Sequence, residues 1–451
     1  MSQAGEFDGG VPREDAFQGS SIALIAEPEH AIKDHTRRDT LMAVFLIRVA
    51  VFIVGVLSLT TTNSLSQLDA KVASGTSWIA FDSFAYRHIL LYGYPRGPHI
   101  PYQIAYFPLF PLMSRMFLPV CSILFGPDAA PRAAMLLVSN GCAFVGLFFL
   151  YEWAASFLNA RTASIATILL AVYPGSVFFC AGLTEAPFLM LVAIAVYLLY
   201  QQRLFAAAAV SALATLCRPT GVALALTIVA WTYYNSQNLS GRRLLLKLLL
   251  IGAISSAGAI SYQCFLWHRY HHFDAYELSQ AYWDPAIYPH GAPASDDAPP
   301  DAAVQTADHG GTNVAATPAA AAPSTLRSDS DSPRYSVAFF MSRLLKTQGW
   351  NRIIALALLV ILIAAYFRPI CIPRVLLLLP LAVFLISYLP NWGLRASSLF
   401  RYESASVPLF VVMAAWLSSP SRRSLLFAIT ALSLALQLYY AFLFSRGLWV
   451  G

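Results

Sequence analysis

The run LMAVFLIRVAVFIVGVLSLTT, residues 41–61, decides the class of fold. It carries a single charged residue, Arg48, and it is long enough to cross the hydrocarbon core of a bilayer, which takes about 20 apolar residues in a helix. It is also too long for the apolar core of a signal peptide. The run therefore predicts an uncleaved membrane helix, in which Arg48 is an unexplained charge.

Similar runs recur along the whole chain of 451 residues. Hydrophobic residues make up 58% of the chain and charged residues only 12%, whereas soluble domains carry about 25% charged residues. Apolar helices are predicted at residues 41–61, 104–125, 134–156, 162–181, 184–201, 204–216, 220–234, 246–266, 352–367, 375–390, 405–418 and 424–445. The sequence thus predicts an all-α polytopic membrane protein with about 11–13 transmembrane or membrane-embedded helices.

Polar stretches divide the chain into four parts. Residues 1–40 are predicted to form a flexible cytoplasmic N-terminus, and residues 41–290 a membrane domain whose first outer loop is 62–103. Residues 291–334 are rich in Ala, Pro, Asp and Ser, so they are predicted to be a disordered insert in an outer loop. Residues 335–451 are predicted to form the C-terminal membrane helices.

Basic residues predict the orientation of the chain. Lys33, Arg37 and Arg38 precede the first helix, and such residues favour the cytoplasmic side. Loop 62–103 is then extracytoplasmic. The net charge of +6 is interpreted as this loop bias, and no nucleic-acid partner is expected.

Loop 62–103 and residue 185 are both expected on the outer side, so an even number of crossing segments should separate them. The sequence has three apolar segments there, which is one too many. Residues 162–181 are interrupted by the sequence YPGS, and a proline followed by glycine breaks a helix. We therefore expect this segment to dip into the membrane and return, although the sequence alone leaves the topology around it open.

Ionisable residues from distant segments are predicted to meet at the outer membrane face. These residues are Asp82 in FDSFAYRH, Glu185 in GLTEAPF, Arg218 in CRPTG, and Arg395 and Arg401 in NWGLRASSLFRYES. Ionisable groups at apolar helix ends are costly and usually mark function. A carboxylate can deprotonate a hydroxyl, and arginines can neutralise a departing phosphate. These two functions would suffice for glycosyl transfer from a polyprenyl-phosphate sugar, whose leaving group is an anionic phosphate.

Each residue also has a purely structural interpretation. Asp82 could cap a helix, and Glu185 could be a first-turn acid favoured by the helix dipole. Arg218 could extend to the lipid headgroups, and Arg401 could pair with Glu403. These alternatives stay open at the level of sequence.

No cofactor or tightly bound metal is expected. Asp82 and Glu185 could hold a divalent cation, but a phosphate neutralised by arginines does not require one. The six cysteines lie in or beside apolar runs and are interpreted as small core residues, not as disulfides or zinc ligands.

Several motifs resemble, in order, those of the PIG-V (GPI mannosyltransferase 2) family. They are FDSFAYRHILLYGYP with YFPLFPLMSRMF, then YPGSVFFCAGLTEAPFLMLVAIAVYLL, ATLCRPTGVALAL, FDAYELSQAYWD and SLFRYESASVPLFVVMAAW. The chain departs from the family pattern at Phe81, where Trp is common, and at Ala85, where an aromatic residue is usual. The likeness covers residues 40–445 without the insert.

The resemblance implies a GT-C glycosyltransferase, a helical membrane enzyme with its active site at the extracytoplasmic face. Such enzymes transfer a sugar, typically mannose, from a polyprenyl- or dolichyl-phosphate carrier to an acceptor hydroxyl, with inversion. Carried over, Asp82 is the general base and Glu185 orients the acceptor or the base. The expected substrate- and phosphate-binding residues are Arg218, Arg401, Arg395, Tyr86 and Tyr402.

The expected partners are the lipid-linked donor, membrane lipids, and a lipid, glycan or protein acceptor. The membrane would be the plasma membrane in a bacterium and the endoplasmic reticulum in a eukaryote. A secondary transporter or lipid flippase is the alternative from another class, and Arg48 favours it. The same fold with another donor sugar, or a subunit that has lost activity, also stays open.

Overall fold

The computed structural model describes residues 29–58, 78–96, 100–280, 350–367, 372–388, 399–446 and 450. Every regular element within these ranges is helical. The all-α class predicted from the sequence is therefore confirmed. The proposed insert 291–334 and Arg395 lie outside the described residues.

Fifteen α-helices are present in the described ranges. They are α1 (Glu29–Leu57), α2 (Asp82–Tyr92), α3 (Leu109–Phe125), α4 (Ala130–Ala155), α5 (Ala160–Val172), α6 (Glu185–Tyr200), α7 (Leu204–Cys217), α8 (Gly221–Tyr234), α9 (Gly241–Tyr270), α10 (Ala275–Gln280), α11 (Trp350–Phe367), α12 (Leu378–Tyr388), α13 (Leu399–Tyr402), α14 (Val407–Leu417) and α15 (Arg423–Ser445). Short 3-10 helices occur at Tyr102–Ala105, Pro174–Cys180, Arg374–Leu377, Glu403–Ala405 and Pro420–Arg422.

The apolar helices make this a membrane protein. Among the described residues, four helices are long and apolar enough to cross a bilayer, and a fifth span results if α5 and Pro174–Cys180 count as one. Seven further apolar helices are shorter. Counted together, the long and the shorter apolar helices agree with the predicted number of about 11–13 membrane helices. Helix α1 begins at Glu29, inside the segment that the sequence predicts to be flexible.

Contacts between distant residues define two ends of the helix bundle. At one end, which we call the Arg37 end, the Arg37 guanidinium lies 3.2 Å from the Glu152 carboxylate. At the other, the Asp82 end, Gly55 near the end of α1 lets the Trp78 ring approach so closely that a Cβ would lie 2.2 Å from it. Helix α1 therefore runs from the Arg37 end to the Asp82 end.

Helix α3 does not cross the bundle. It begins at the Asp82 end, where the Phe110 and Tyr86 rings meet edge to face at 5.3 Å. Helix α4 follows after a short turn, and in its first half the Ser139 hydroxyl donates to the carbonyl of Leu183, again at the Asp82 end. Because α4 then descends to Glu152 at the Arg37 end, α3 both begins and ends at the Asp82 end.

The segment 162–181, in contrast, runs from one end to the other. Near the start of α5, Ser164 shares a 2.6 Å hydrogen bond with Thr40 at the Arg37 end. Beyond the break, the Gly182 N–H donates to the carbonyl of Trp78 at the Asp82 end. The prediction that this segment is the extra one is wrong: the extra apolar segment is 104–125, whose helix stays at one end. Apolar composition alone does not distinguish a crossing helix from one that lies along the bundle.

The predicted break in 162–181 is present, but it bends the segment instead of returning it. Helix α5 ends at Val172, and the axis turns by 74° into the 3-10 helix Pro174–Cys180, which is buried throughout. Arg48 explains how this bend is held. Its guanidinium donates to the carbonyl of Ser176 at 3.1 Å and to the side-chain oxygen of Asn140 at 2.9 Å.

Most cysteines in the described residues match the core interpretation. Cys121, Cys142, Cys180 and Cys217 are buried, whereas Cys264 is exposed on α9. The prediction that Cys264 is a core residue is therefore wrong. Its helix, α9, is only partly covered by other helices.

Candidate functional site

Asp82 is held at the start of α2 by a tightly anchored turn. Trp78 is buried and stacks on Phe444 of α15, with ring centroids 5.9 Å apart. Phe81 adopts φ 56°, ψ −122°, a backbone conformation that costs a non-glycine residue about 1–3 kcal/mol and is often found at functional sites. The strained turn places Asp82 within hydrogen-bond distance of Arg401 and Tyr106.

Asp82 does not cap its helix. It stands in the first turn of α2, and no side-chain cap hydrogen bond is formed there. Its carboxylate instead accepts hydrogen bonds from Arg401, at 2.8 Å on Oδ2, and from the hydroxyl of Tyr106, at 3.2 Å on Oδ1. The side chain is 26% exposed. Asp82 is thus held by both oxygens and still reached by solvent.

Glu185 opens α6, as the structural interpretation expected, but it also has charged partners. Its Oε1 lies 2.9 Å from Nε of Arg401 and 3.3 Å from a terminal nitrogen of Arg218. The side chain is only 1% exposed. A carboxylate so deeply buried is stable only when cations compensate it, so Glu185 fixes the two arginines.

Arg401 joins the two acids. It is 8% exposed and contacts the carboxylates of both Asp82 and Glu185. Burial alone would lower the pKa of Arg401, but the negative charges of Glu185 and Asp82 hold it well above its ordinary value. The guanidinium therefore stays charged. The alternative pairing of Arg401 with Glu403 is not observed: the described contact of the Glu403 carboxylate is with the Ser406 hydroxyl, at 3.1 Å.

The ring of Tyr402 lies between the two arginines. The guanidinium carbon of Arg218 is 4.6 Å from the ring centroid and that of Arg401 is 5.2 Å away. Cation–π contacts of this kind favour a fixed guanidinium orientation. The alternative in which Arg218 extends to the lipid headgroups is not observed, because its side chain is 7% exposed and turned to Glu185.

Tyr86 lies beside the cluster. Its hydroxyl is 3.5 Å from that of Thr184, and its ring meets the Tyr106 ring edge to face at 5.1 Å. Burial raises the pKa of Tyr86 well above its ordinary value, so the hydroxyl keeps its proton. Tyr86 is placed to support the turn before Glu185.

The structure thus brings together six of the seven residues predicted for the site, and Arg395 lies outside the described residues. The six are Asp82, Glu185, Arg218, Arg401, Tyr86 and Tyr402. Their individual roles in a reaction stay predictions. Sequence reasoning missed Tyr106, although it begins the YFPLFP motif that accompanies the Asp82 motif.

No metal-binding cluster is found in the part of the chain that the structure describes. Within those ranges, no three His, Cys, Asp or Glu side chains lie close enough together to hold a metal ion. Whether the reaction requires a divalent cation stays a prediction.

Comparison with known proteins found similar solved structures but no similar sequence family. No protein-family model and no curated protein sequence matches the chain. The apo form of the Archaeoglobus fulgidus oligosaccharyltransferase is similar with 12% identity and a TM-score of 0.45, over 90% of this chain and 56% of that one. The form of that enzyme tethered to an acceptor peptide with the NVT sequon gives 12% and 0.37, over 88% of this chain and 54% of that one.

This chain therefore spans a little over half the length of that oligosaccharyltransferase. The likeness at this identity concerns the helical architecture alone. The motif resemblance to the PIG-V family stays a prediction, and the function proposed for this chain rests on its own residues and motifs.

Proposed function

We propose that this protein is a GT-C glycosyltransferase similar to the PIG-V family. It takes a sugar, with mannose as the first candidate, from a polyprenyl- or dolichyl-phosphate carrier and transfers it to an acceptor hydroxyl at the extracytoplasmic membrane face. The observation that carries the proposal is the Arg401 bridge between Asp82 and Glu185. It joins three of the motifs that resemble the family at one end of the bundle.

The chemistry proposed is a single displacement. Asp82 takes the proton of the acceptor hydroxyl, and the acceptor oxygen forms a bond to the anomeric carbon of the sugar. The bond from that carbon to the carrier phosphate breaks, and its electron pair leaves with the polyprenyl phosphate. Attack from the opposite side inverts the anomeric centre. Asp82 suits the role of general base because it is the more exposed of the two acids in contact with Arg401.

Arg401 and Arg218 would neutralise the departing phosphate. Both are charged and fixed on one carboxylate, Glu185, so they need little reorganisation when charge develops on the leaving group. Arginine also binds phosphate through paired hydrogen bonds. In this proposal Glu185 positions the arginines, which refines the predicted role of orienting the acceptor or the base.

The orientation of the site follows from the basic residues of the sequence. Arg37 marks the end that is expected in the cytoplasm, and the Asp82 cluster lies at the opposite end. The carrier phosphate of a lipid-linked sugar lies at headgroup depth, where these arginines can reach it. The acceptor, and the choice of plasma membrane or endoplasmic reticulum, remain those expected from the sequence. A divalent cation is not part of the proposed chemistry.

Transport is the less supported function. The unexplained charge of Arg48 favoured it in the sequence, and Arg48 is now paired with Asn140 and the bent segment at Ser176. The charge therefore has a structural purpose. We retain a different donor sugar, such as glucose, arabinose or an aminosugar, as an outcome of the test.

The test follows the carrier lipid. Membranes containing the full chain are incubated with polyprenyl-phosphate mannose, and release of polyprenyl phosphate is measured, with glucose and arabinose carriers in parallel. The wild type should release the phosphate of one carrier, and Asp82→Asn should reduce release by about a hundredfold, as expected for loss of a general base. Asp128→Asn, at an exposed aspartate of the same bundle end, should retain wild-type release.

Two results would contradict the proposal in different ways. Release from none of the carriers would reject sugar transfer from these donors. Normal release by Asp82→Asn would keep the reaction and remove Asp82 from its assigned role.

A further inference from the structure

A tyrosine outside the predicted site residues contacts the proposed base directly. The hydroxyl of Tyr106 donates to Oδ1 of Asp82, whereas Arg401 holds Oδ2. Tyr106 is only 9% exposed. The two oxygens of Asp82 are therefore bound by groups from different parts of the chain, which fixes the plane of the carboxylate.

Tyr106 is well suited to donate this hydrogen bond. Burial, and next the negative charge of Asp82, raise the pKa of Tyr106 well above its ordinary value. The hydroxyl therefore keeps its proton under all ordinary conditions. Its ring is held by the Tyr86 ring at 5.1 Å, edge to face.

The backbone that carries Tyr106 is tied to a separate helix, α9. Tyr262 on α9 donates from its hydroxyl to the carbonyl of Ile104, at 2.6 Å. Tyr94 donates in the same way to the carbonyl of Tyr106, also at 2.6 Å. These bonds fix the backbone within the 3-10 helix Tyr102–Ala105 and immediately after it.

The last turns of α9 hold the segment before this loop as well. Tyr270 donates to the carbonyl of Pro95 at 2.9 Å, and Arg269 donates to the carbonyl of Tyr94 at 3.2 Å. Tyr94 in turn packs against Tyr262, with ring centroids 5.9 Å apart. The end of α9 therefore binds three backbone carbonyls of this connection through the side chains of Tyr262, Arg269 and Tyr270.

We infer that Tyr106 is a positioning residue for Asp82, and that the end of α9, together with Tyr94, holds Tyr106 in place. The inference rests on the proposed function, in which Asp82 is the base. Tyr106 holds Oδ1 of Asp82 and so keeps the carboxylate in the orientation that faces the acceptor. Without the Tyr106 hydroxyl, only the hydrogen bond from Arg401 to Oδ2 remains, and the carboxylate can rotate. The effect falls on the reaction step, because the hydrogen bond of Tyr106 is made to the proposed base itself.

The first experiment compares kinetic constants of full-length variants in membranes, with the carrier identified in the release assay. Tyr106→Phe should lower kcat by about tenfold, as expected for one hydrogen bond to a charged group, and leave KM for the donor nearly unchanged. Tyr94→Phe should lower kcat less. Tyr200→Phe is the matched control, because its hydroxyl also donates to one backbone carbonyl, that of Ser156, but at the Arg37 end.

The second experiment does not depend on activity. Thermal unfolding in detergent is measured for Tyr106→Phe, Asp82→Ala and the double variant. If the hydrogen bond acts in the folded protein, the double variant loses less than the sum of the two single losses. Additive losses would overturn the inference, as would an unchanged kcat of Tyr106→Phe in a chain whose Asp82→Asn variant is inactive.

The two experiments separate the inference from the proposed function. If no carrier is cleaved by the wild type, the proposed function fails, and the unfolding measurements alone decide whether Tyr106 positions Asp82. If Asp82→Asn stays active while the unfolding losses are non-additive, the bond exists but Asp82 is not the base, and the inference fails in its catalytic part.

Discussion

The guanidinium of Arg401 donates a 2.8 Å hydrogen bond to the carboxylate of Asp82, although 319 positions separate the two residues in the chain. Arg401 lies in a short helix before α14, and Asp82 opens α2 after a strained turn. Arg401 also contacts Glu185, which in turn contacts Arg218, so the four side chains form a chain of ion pairs. Since two cations balance two anions, a phosphate that enters the site must compete with a carboxylate for an arginine.

Arg401→Lys tests this bridging role. A lysine has a single ammonium and no planar fork, so it can approach one of the two carboxylates but not hold both as arginine does. We expect sugar transfer to fall by about tenfold or more, as for other losses of paired arginine contacts. The measurement is release of polyprenyl phosphate, with Arg423→Lys at an exposed position as the control. Wild-type release by Arg401→Lys would show that bridging is dispensable.

Glu185 and Asp82 should differ in their effects on stability. Glu185 is 1% exposed and compensates two buried arginines, so Glu185→Gln should reduce the free energy of unfolding by about 3–5 kcal/mol. Asp82 is 26% exposed, and solvent replaces part of the lost interaction in Asp82→Asn. We therefore expect a clearly lower unfolding midpoint in detergent for Glu185→Gln than for Asp82→Asn. Equal midpoints would contradict the assignment of Glu185 as the structural anchor.

Glu403 should make stability depend on pH. It lies in the turn between α13 and α14, and burial raises its pKa to about 8, against a smaller opposing effect of the Ser406 hydroxyl. Between the ordinary carboxyl pKa and about pH 8, the folded state thus binds more protons at this residue than the unfolded state. Stability from this residue is greatest below that range and decreases as the pH rises through it.

Glu403→Gln is expected to remove this part of the pH dependence, because the amide does not titrate. Unfolding midpoints of wild type and variant would be measured at several pH values from acid to mildly alkaline. The difference between variant and wild type should increase with pH. A difference that stays constant over the range would count against a protonated Glu403 in the folded protein.

Close packing of α7 on α9 should be required to place Arg218. A Cβ at Gly258 would lie 1.9 Å from the carbonyl oxygen of Ala212, and α7 ends at Cys217, immediately before Arg218. Gly258→Ala should therefore cost about 1–3 kcal/mol in stability and reduce transfer. Gly252→Ala in the same helix is the matched control, because its Cβ would lie at an ordinary 3.6 Å from Val229. Equal behaviour of the two variants would refute the packing requirement.

The extra apolar segment shows where sequence reasoning reached its limit. The distribution of basic residues among the loops correctly indicated that one apolar segment before residue 185 does not cross the bundle. The YPGS sequence correctly indicated a break in a helix. The break, however, belongs to a segment that crosses, since Ser164 contacts Thr40 at one end and Gly182 contacts Trp78 at the other. Both kinds of segment are apolar, so only long-range contacts distinguish them.

Tyr106 and Arg48 show the same limit at the level of single residues. Each is one polar residue in an apolar or aromatic stretch, and its meaning depends on its partner. Arg48 proved to hold the bend at Ser176, and Tyr106 proved to hold Asp82. Neither partner lies at a spacing that a helix would bring together, so neither pair could be read from periodicity.

The amino-acid sequence by itself determined that this is a helical membrane protein, because long apolar runs with few charges have one stable arrangement in a bilayer. It also singled out ionisable residues beside apolar segments whose burial is costly, among them Asp82, Glu185, Arg218 and Arg401. The tertiary structure alone decided that these four form one ion-paired cluster, that Tyr106 joins it, and that α3 stays at one end. The physical reason is that hydrophobicity sets where a segment lies, whereas the pairing of buried charges depends on distances between residues far apart in the chain.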